Sequence, residues 1–163
     1  MSKKKLYHGT SENAANNIIK HGIDLHIGRT NLDFGKGFYL AQRKGTAIDW
    51  ALRVSDRTRE RAVVITYELN TDNLNIKLFS KDDIWIREVI RQRNGIEVIS
   101  DIDVFIGPIA DGDTINDIKL YCAEEMPLDT LIERLSAKDY GLQFVLKTDK
   151  AVENAKIIKK EVL

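Results

Sequence analysis

The chain of 163 residues carries 25 basic and 25 acidic side chains and is 43% hydrophobic, a composition that predicts one folded domain with its own core and excludes disorder. Its formal charge of zero leaves nucleic-acid binding to a local patch at most. A lone cysteine, Cys122, excludes an internal disulfide or a cysteine-built zinc site, and no stretch nears the roughly 20 apolar residues of a membrane span, so a reducing cytoplasmic setting is expected, with delivery into another cell left open.

Met1 to Lys5 is basic but meets Leu6-Tyr7-His8-Gly9 without the apolar core of a signal peptide. Leu6-Tyr7 predicts a short strand with His8 at its end and a turn at Gly9-Thr10. A helix follows, with Ser11 as N-cap, Ala14, Ala15, Ile18 and Ile19 as its apolar face and Gly22 as its stop. His21 and His26 flank that end as surface residues, since no carboxylate or second histidine stands at metal-ligand spacing, and no metal site is expected. From Ile23 to Leu32 no period appears, and this loop carries Arg29 and Asn31 into the stretch from Asp33 to Gln42.

That stretch, Asp33-Phe34-Gly35-Lys36-Gly37-Phe38-Tyr39-Leu40-Ala41-Gln42, is the focus of the chain. Gly35 and Gly37 allow a tight, side-chain-free path. On a strand Phe38 and Tyr39 point to opposite faces, so Tyr39 can line a pocket while Phe38 joins the core. A glycine turn followed by an edge strand with two packed rings accounts for the same residues. Asp33-Phe34-Gly35 also spells a kinase metal motif, but neither a glycine-rich loop with a downstream strand lysine nor a His-Arg-Asp segment accompanies it.

Thr46 predicts the N-cap of a second helix, with Ala47, Trp50, Ala51 and Val54 on one face and Trp50 either in the core or behind a pocket floor. The basic run from Arg53 to Arg61 also holds Asp56 and Glu60, and reads as a solvated helix end and loop. Ala62 to Leu69 is the clearest strand and Asn75 to Phe79 a shorter one. Ser80 is the expected cap of a helix reaching Asn94, built on Ile84, Trp85, Val89 and Ile90, with Gly95 as its stop. Asp103 to Ile109 has a buried-strand pattern that ends near Pro108. Helices are predicted over Thr114 to Glu125 and Leu128 to Ala137, then a last strand over Leu142 to Lys147 opened by Gln143. Thr148 would cap a terminal helix with Ala151, Ala155, Ile158 and Val162 inward. Without a βαβ rhythm or a Gly-x-Gly-x-x-Gly fingerprint, the class is α+β and a Rossmann domain is disfavoured.

The chemistry is expected where polar residues interrupt strand ends. His8 and Thr10 can grip the vicinal hydroxyls of a ribose, the intervening Gly9 can pair through its backbone with an amide, and an exposed Tyr39 ring offers a face to a flat heterocycle, worth roughly 1–3 kcal/mol by analogy with base stacking. These are the parts needed to hold a nicotinamide riboside.

Tyr7-His8-Gly9-Thr10 and Phe34-Gly35-Lys36-Gly37-Phe38-Tyr39 resemble the first two motifs of the diphtheria-toxin and poly-ADP-ribose-polymerase branch of the ADP-ribosyltransferases. The chain as a whole resembles the bacterial DUF3990 proteins, usually placed in that superfamily, through Asp-Phe-Gly-Lys-Gly-Phe-Tyr, Ile-Gly-Pro-Ile-Ala-Asp and Gln-Phe segments. The resemblance implies an ADP-ribosyltransferase-like fold of two facing antiparallel sheets flanked by helices, with NAD as co-substrate in the cleft. It implies His8 and Thr10 on the adenosine ribose, Gly9 on the nicotinamide amide and Tyr39 on the nicotinamide ring, with Arg29, Asn31, Phe34, Gly35, Lys36, Gly37 and Phe38 completing the NAD-binding set.

The superfamily's third motif, a glutamate opening a late strand, is matched here by Gln143. A carboxylate facing the oxocarbenium-like centre contributes on the order of 4 kcal/mol at ~4 Å and effective dielectric ~20, or roughly three powers of ten in rate, which glutamine cannot supply. Asp111 is the best-placed substitute, with Asp113 and Asp33 weaker ones, although Asp111 also reads as an ordinary turn residue. The implied activity is mono-ADP-ribosylation of a protein or nucleic-acid acceptor, with protein favoured, by a bacterial or phage effector or toxin. The competing readings are a weak or inactive NAD- or ADP-ribose-binding module and an RNA 2′-phosphotransferase-like enzyme. For the latter, Arg29 with Lys36 makes a thin phosphate grip.

Overall fold

A computed structural model describes residues 2–28, 32–96, 100–110, 112–137 and 139–163. In chain order the elements are β1 (Lys3–Ser11), α1 (Glu12–His21), β2 (Phe38–Ala41), α2 (Lys44–Thr58), β3 (Ala62–Asn70), β4 (Ile76–Leu78), α3 (Asp83–Arg93), β5 (Val104–Pro108), α4 (Gly112–Cys122), α5 (Leu128–Ala137), β6 (Leu142–Leu146), α6 (Asp149–Glu153) and β7 (Ala155–Val162). The α+β class holds. The strands form one seven-stranded mixed sheet in the order β4-β5-β6-β2-β1-β3-β7, with β4 and β5 parallel and the other neighbours antiparallel.

This corrects the expectation of two facing sheets, because β2 keeps a bridge to β1 and so joins the halves edge to edge. The bridge is narrow. β1 and β3 are in register over nine pairs, from Lys3↔Asn70 to Ser11↔Ala62, and β2 meets β6 over four, whereas β1 and β2 share only Tyr7↔Ala41.

Alternation along the strands sorts the core. Leu6, Leu40, Val63, Ile65, Phe144 and Leu146 face one way and pack under Ala15 of α1 and Ala151 of α6. On the opposite face Ala62 and Val64 meet Ala47 and Ala51 of α2. Further along that face Phe105 and Val145 join Phe34, Trp85, Ile86 and Val89, with Ile118 of α4 and Leu131 and Leu135 of α5 above them. Both faces are covered, which is why the central strands read as nearly continuous apolar runs.

Several boundaries shift for identifiable reasons. Strand β1 runs through His8, Gly9 and Thr10 instead of turning there, because β3 offers a ladder partner along its whole length. Ser11 caps α1 as expected, its hydroxyl accepting from Ala14 N at 3.5 Å, and Gly22 ends it at φ +82°. For α2 the N-cap is Arg43, and Thr46, already inside the helix, donates its hydroxyl to Tyr140 O at 2.9 Å. Trp50 stands on the outer side of that helix, 51% exposed, so it belongs neither to the core nor to a pocket floor. Asp82, not Ser80, caps α3 by accepting from Trp85 N at 3.0 Å.

The largest difference is at the C-terminal end. Thr148 does cap a helix, accepting from Ala151 N at 3.2 Å, but α6 lasts five residues and β7 follows where a terminal helix was expected. The spacing of Ala151, Ala155, Ile158 and Val162 fits a helix face, yet β3 would otherwise present an unpaired edge, and the β-branched Ile157, Ile158 and Val162 suit the pleated strand that covers it. Strand β6 is therefore the penultimate strand, with Gln143 near its start.

Candidate functional site

The candidate site lies where β1 and β2 part. Glu12 N–H donates to Arg61 O at 3.0 Å and Thr71 N–H to Ser2 O at 2.9 Å, which turns the even-numbered peptide groups of β1 toward β3 and, by alternation, those of Tyr7 and Gly9 toward β2. In register after Tyr7↔Ala41 the next such pair would be Gly9 with Tyr39. Instead the Tyr39 carbonyl accepts a hydrogen bond from His8 Nδ1 at 2.8 Å. A side chain has taken the place of a ladder bond, and the sheet has a seam beyond it.

The His8 ring stacks on Phe38 at 4.2 Å between centroids, and Phe38 meets the edge of Tyr67 at 5.7 Å. Because a carbonyl can only accept, Nδ1 carries the proton, and Nε2 of the neutral ring is an acceptor. Burial lowers the His8 pKa from 6.5, opposed in part by the bond to Tyr39 O, so the ring is neutral at pH 7. Tyr67 is buried beside this stack, and its hydroxyl has no hydrogen-bond partner among the described residues; burial also raises its pKa. An unmet hydroxyl of this kind costs about 1–3 kcal/mol.

The lowered His8 pKa has a measurable consequence. The unfolded chain takes up a proton as pH falls through 6.5 while the folded one does not, so stability is lost below that value until the folded His8 also titrates. Comparing denaturant midpoints at about pH 8 and about pH 5 should show a larger acid loss in the wild type than in His8→Gln, whose amide can still donate to Tyr39 O. Equal losses would assign the effect to other groups.

Gly9 has a packing reason to be glycine. A Cβ there would stand 2.0 Å from Ala47 O and 2.9 Å from Ala51 N, so α2 lies directly on this point of β1. Thr10 is 8% exposed on the same strand face as His8.

Tyr39 behaves differently from the expected pocket wall. Its ring packs with the core cluster of Phe34 and Val145, on the face opposite His8. Its hydroxyl donates to Gly35 O at 2.5 Å and accepts from Phe34 N at 3.2 Å, clasping the glycine turn. The two aromatic residues thus divide between the two faces, each within a core. Lys147 completes the clasp, its Nζ donating to Phe34 O at 2.6 Å and Lys36 O at 2.5 Å. Gly35 adopts φ +69°, and any Cβ on it would meet Gln92 Oε1 at 2.4 Å. At Gly37 the obstacles are Val145 Cγ1 at 2.7 Å and Leu146 O at 2.8 Å.

Gln143 is 7% exposed and already committed. Its Nε2 donates to Asp33 Oδ2 at 3.0 Å and to Pro108 O at 2.9 Å, which uses both amide hydrogens. Asp33, the carboxylate the sequence ranked low, is 5% exposed and accepts from Ala110 N at 2.8 Å as well. Its other oxygen pairs with Arg93, through Nε at 3.0 Å and also through Nη2. The position of the expected catalytic glutamate is thus a buried clamp joining the loop before β2, the end of α3, the end of β5 and the start of β6. Nothing in the sequence pairs Asp33 with Gln143, 110 residues away. Asp111, Arg29 and Asn31 lie outside the described residues, and the side chain of Asp113 does too.

The glycine turn also borders a cleft of about 640 Å³, reached by Gly35 and Lys36 but by none of His8, Gly9, Thr10, Tyr39 or Gln143. Among the described residues no group of histidine, cysteine and carboxylate side chains could hold a metal ion, and no helix is long and apolar enough to cross a membrane. Comparison with curated proteins returns no match. A family profile described as "Protein of unknown function (DUF3990)" matches residues 4–157, nearly the whole chain, and the protein therefore belongs to the DUF3990 family.

Proposed function

We propose that the chain binds NAD at the seam between β1 and β2 and acts as an ADP-ribosyltransferase toward a macromolecular acceptor, as the resemblance of Tyr7-His8-Gly9-Thr10 and Phe34 to Tyr39 to that superfamily implies. The observation that carries the reading is the replacement of the ladder bond to Tyr39 O by the His8 ring. It leaves the Gly9 peptide, which alternation turns toward β2, without a ladder partner in Tyr39, and leaves His8 Nε2 as an acceptor suited to a ribose hydroxyl on the strand face where Phe38 and Tyr67 pack. When bound, NAD supplies the ADP-ribosyl group and nicotinamide as its leaving group. The chain's own residues hold the ribose and the amide and exclude water.

A second reading rests on Gln143. With both amide hydrogens committed and no carboxylate of its own, it supplies no negative charge to a developing cation, which favours a domain that keeps NAD or ADP-ribose without rapid turnover. One experiment addresses both. NAD in the millimolar range should raise the melting temperature of the wild type, since a ligand selective for the folded state adds about 2.7 kcal/mol at a hundred times its Kd. His8→Ala should lose most of that shift while remaining folded. Release of nicotinamide in the same sample separates the transferase from the binding module. No shift with NAD, ADP-ribose or nicotinamide would remove the seam as a nucleotide site.

A further inference from the structure

The cleft beside the glycine turn has a charge character that the whole chain lacks. In a protein of formal charge zero, its walls bring together Lys36, Lys77, Arg91 and Lys147 against the two carboxylates of Glu88 and Asp149. Those four cations come from the glycine loop, β4, α3 and the end of β6, so they converge by folding and are not a run of charge along one element.

Their state of engagement differs. Lys147 is occupied with the carbonyls of the glycine turn and sits over the Phe105 ring at 5.6 Å. Arg91 is held by Glu88, which accepts from its Nε at 3.1 Å and Nη2 at 2.5 Å, and Glu88 is fixed in turn by Gln92 Nε2 at 3.0 Å. Burial alone pushes the Glu88 carboxyl up, but the bonds from Gln92 and Arg91 and the charges of Arg91 and Lys77 carry it below the usual range, so it is ionised. A buried carboxylate thus fixes the plane of a guanidinium that is itself one-third exposed. The bonds to Glu88 leave from Nε and Nη2, so Nη1 keeps its hydrogens for another acceptor. Planar, pre-oriented donors of this kind suit phosphate oxygens. Lys77 is exposed and leans over Phe79 at 5.2 Å, and among the described residues no carboxylate pairs with the Lys36 ammonium. Ile102, Phe105 and Leu25 give the same cleft an apolar wall.

We propose that this cleft binds the phosphate groups of a small phosphorylated ligand of nucleotide size, with Arg91 as the directional grip, Lys36 and Lys77 as neutralising charges and Glu88 as the positioning residue. The volume, about 640 Å³, falls within the range of small-molecule sites. Four cations gathered around one cleft of this size suit a small ligand better than a nucleic acid, which needs an extended basic track. The inference stands independently of NAD at the seam.

Pyrophosphate, ADP and a short single-stranded RNA titrated calorimetrically into the intact protein test it, with Lys77→Gln, Arg91→Lys and His8→Ala as variants. ADP and pyrophosphate should bind the wild type, on the order of tenfold more weakly in each of Lys77→Gln and Arg91→Lys, and with unchanged affinity in His8→Ala. Lys77 is exposed, so its variant remains folded and the test holds even if Arg91→Lys loosens α3. No binding of either phosphate compound overturns the proposal, as does RNA binding without ADP binding. ADP binding that His8→Ala abolishes and the cleft variants leave intact also overturns it, while supporting a nucleotide at the seam.

Discussion

Glutamate in place of Gln143 unfolds or severely destabilises the protein at neutral pH, by about 3–5 kcal/mol, the range measured when a buried charge is left uncompensated. The wild-type amide gives one hydrogen to Asp33 Oδ2 and the other to Pro108 O. An ionised carboxylate gives none, and it sets a second negative charge beside Asp33 in a site where Arg93 already serves one. The sign of the pH dependence follows. The new carboxyl has its pKa raised in the folded state above the ~4.3 of the unfolded chain, so the deficit is complete above the raised value and shrinks as pH falls through it, because a protonated carboxyl can donate one of the two lost bonds. Denaturation of wild type and Gln143→Glu across acid and neutral pH measures this. A variant as stable as the wild type at pH 7 would show that the clamp tolerates a second charge, and would reopen the possibility that the residue faces a ligand. The result also bears on the proposed function, because a glutamate at this position breaks the clamp before it can offer a charge to any ligand.

Gly9→Ala should be nearly as damaging, at about 3 kcal/mol or more, from one methyl group. Overpacking is tolerated when a flexible side chain can swing away, but here the obstacles are the carbonyl oxygen of Ala47 and the amide of Ala51, both backbone atoms of α2. The helix must lift from β1 or the strand must bow. Gly45→Ala is the control, since nothing lies within 4 Å of its added Cβ. Equal melting temperatures for Gly9→Ala and Gly45→Ala would mean that α2 is not seated where the structure puts it. A role for Gly9 in binding an amide can be tested only against this packing requirement, since loss of ligand binding in Gly9→Ala follows from either cause.

The sequence carried its local information well. The β-branched run of β3, the Ser11 cap and Gly22 stop of α1, and the span of α5 depend on neighbours within a few residues, and they appear as read. What it could not carry were requirements imposed from afar. The spacing of Ile158 and Val162 reads as a helix face until β3, roughly a hundred residues earlier, is seen to need a partner along its second edge. Trp50 looked like core because its spacing matched Ala47 and Ala51, but a helix lying flat on two strands buries only the stripe of small residues that allows close approach. Tyr39 and Gln143 stand out in the sequence as groups for a ligand. The structure gives each a partner inside the protein first, because a carbonyl at Gly35 and a carboxylate at Asp33 come within reach only once the loop folds over the end of β6.

The single bridge between β1 and β2 also determines how the sheet shares its stability. A seven-stranded sheet with full ladders opens as one cooperative unit, but this one is two ladders, β4-β5-β6-β2 and β1-β3-β7, joined by Tyr7↔Ala41. What couples them is side-chain packing across the join, chiefly Leu6 and Ile65 from one side against Leu40 and Phe144 from the other. Local opening therefore has a natural fault line there, at a free energy below that of global unfolding. Any molecule that bridges the line draws its effect from that coupling, acting as a rivet between two otherwise separate cooperative units and raising the protection of both together.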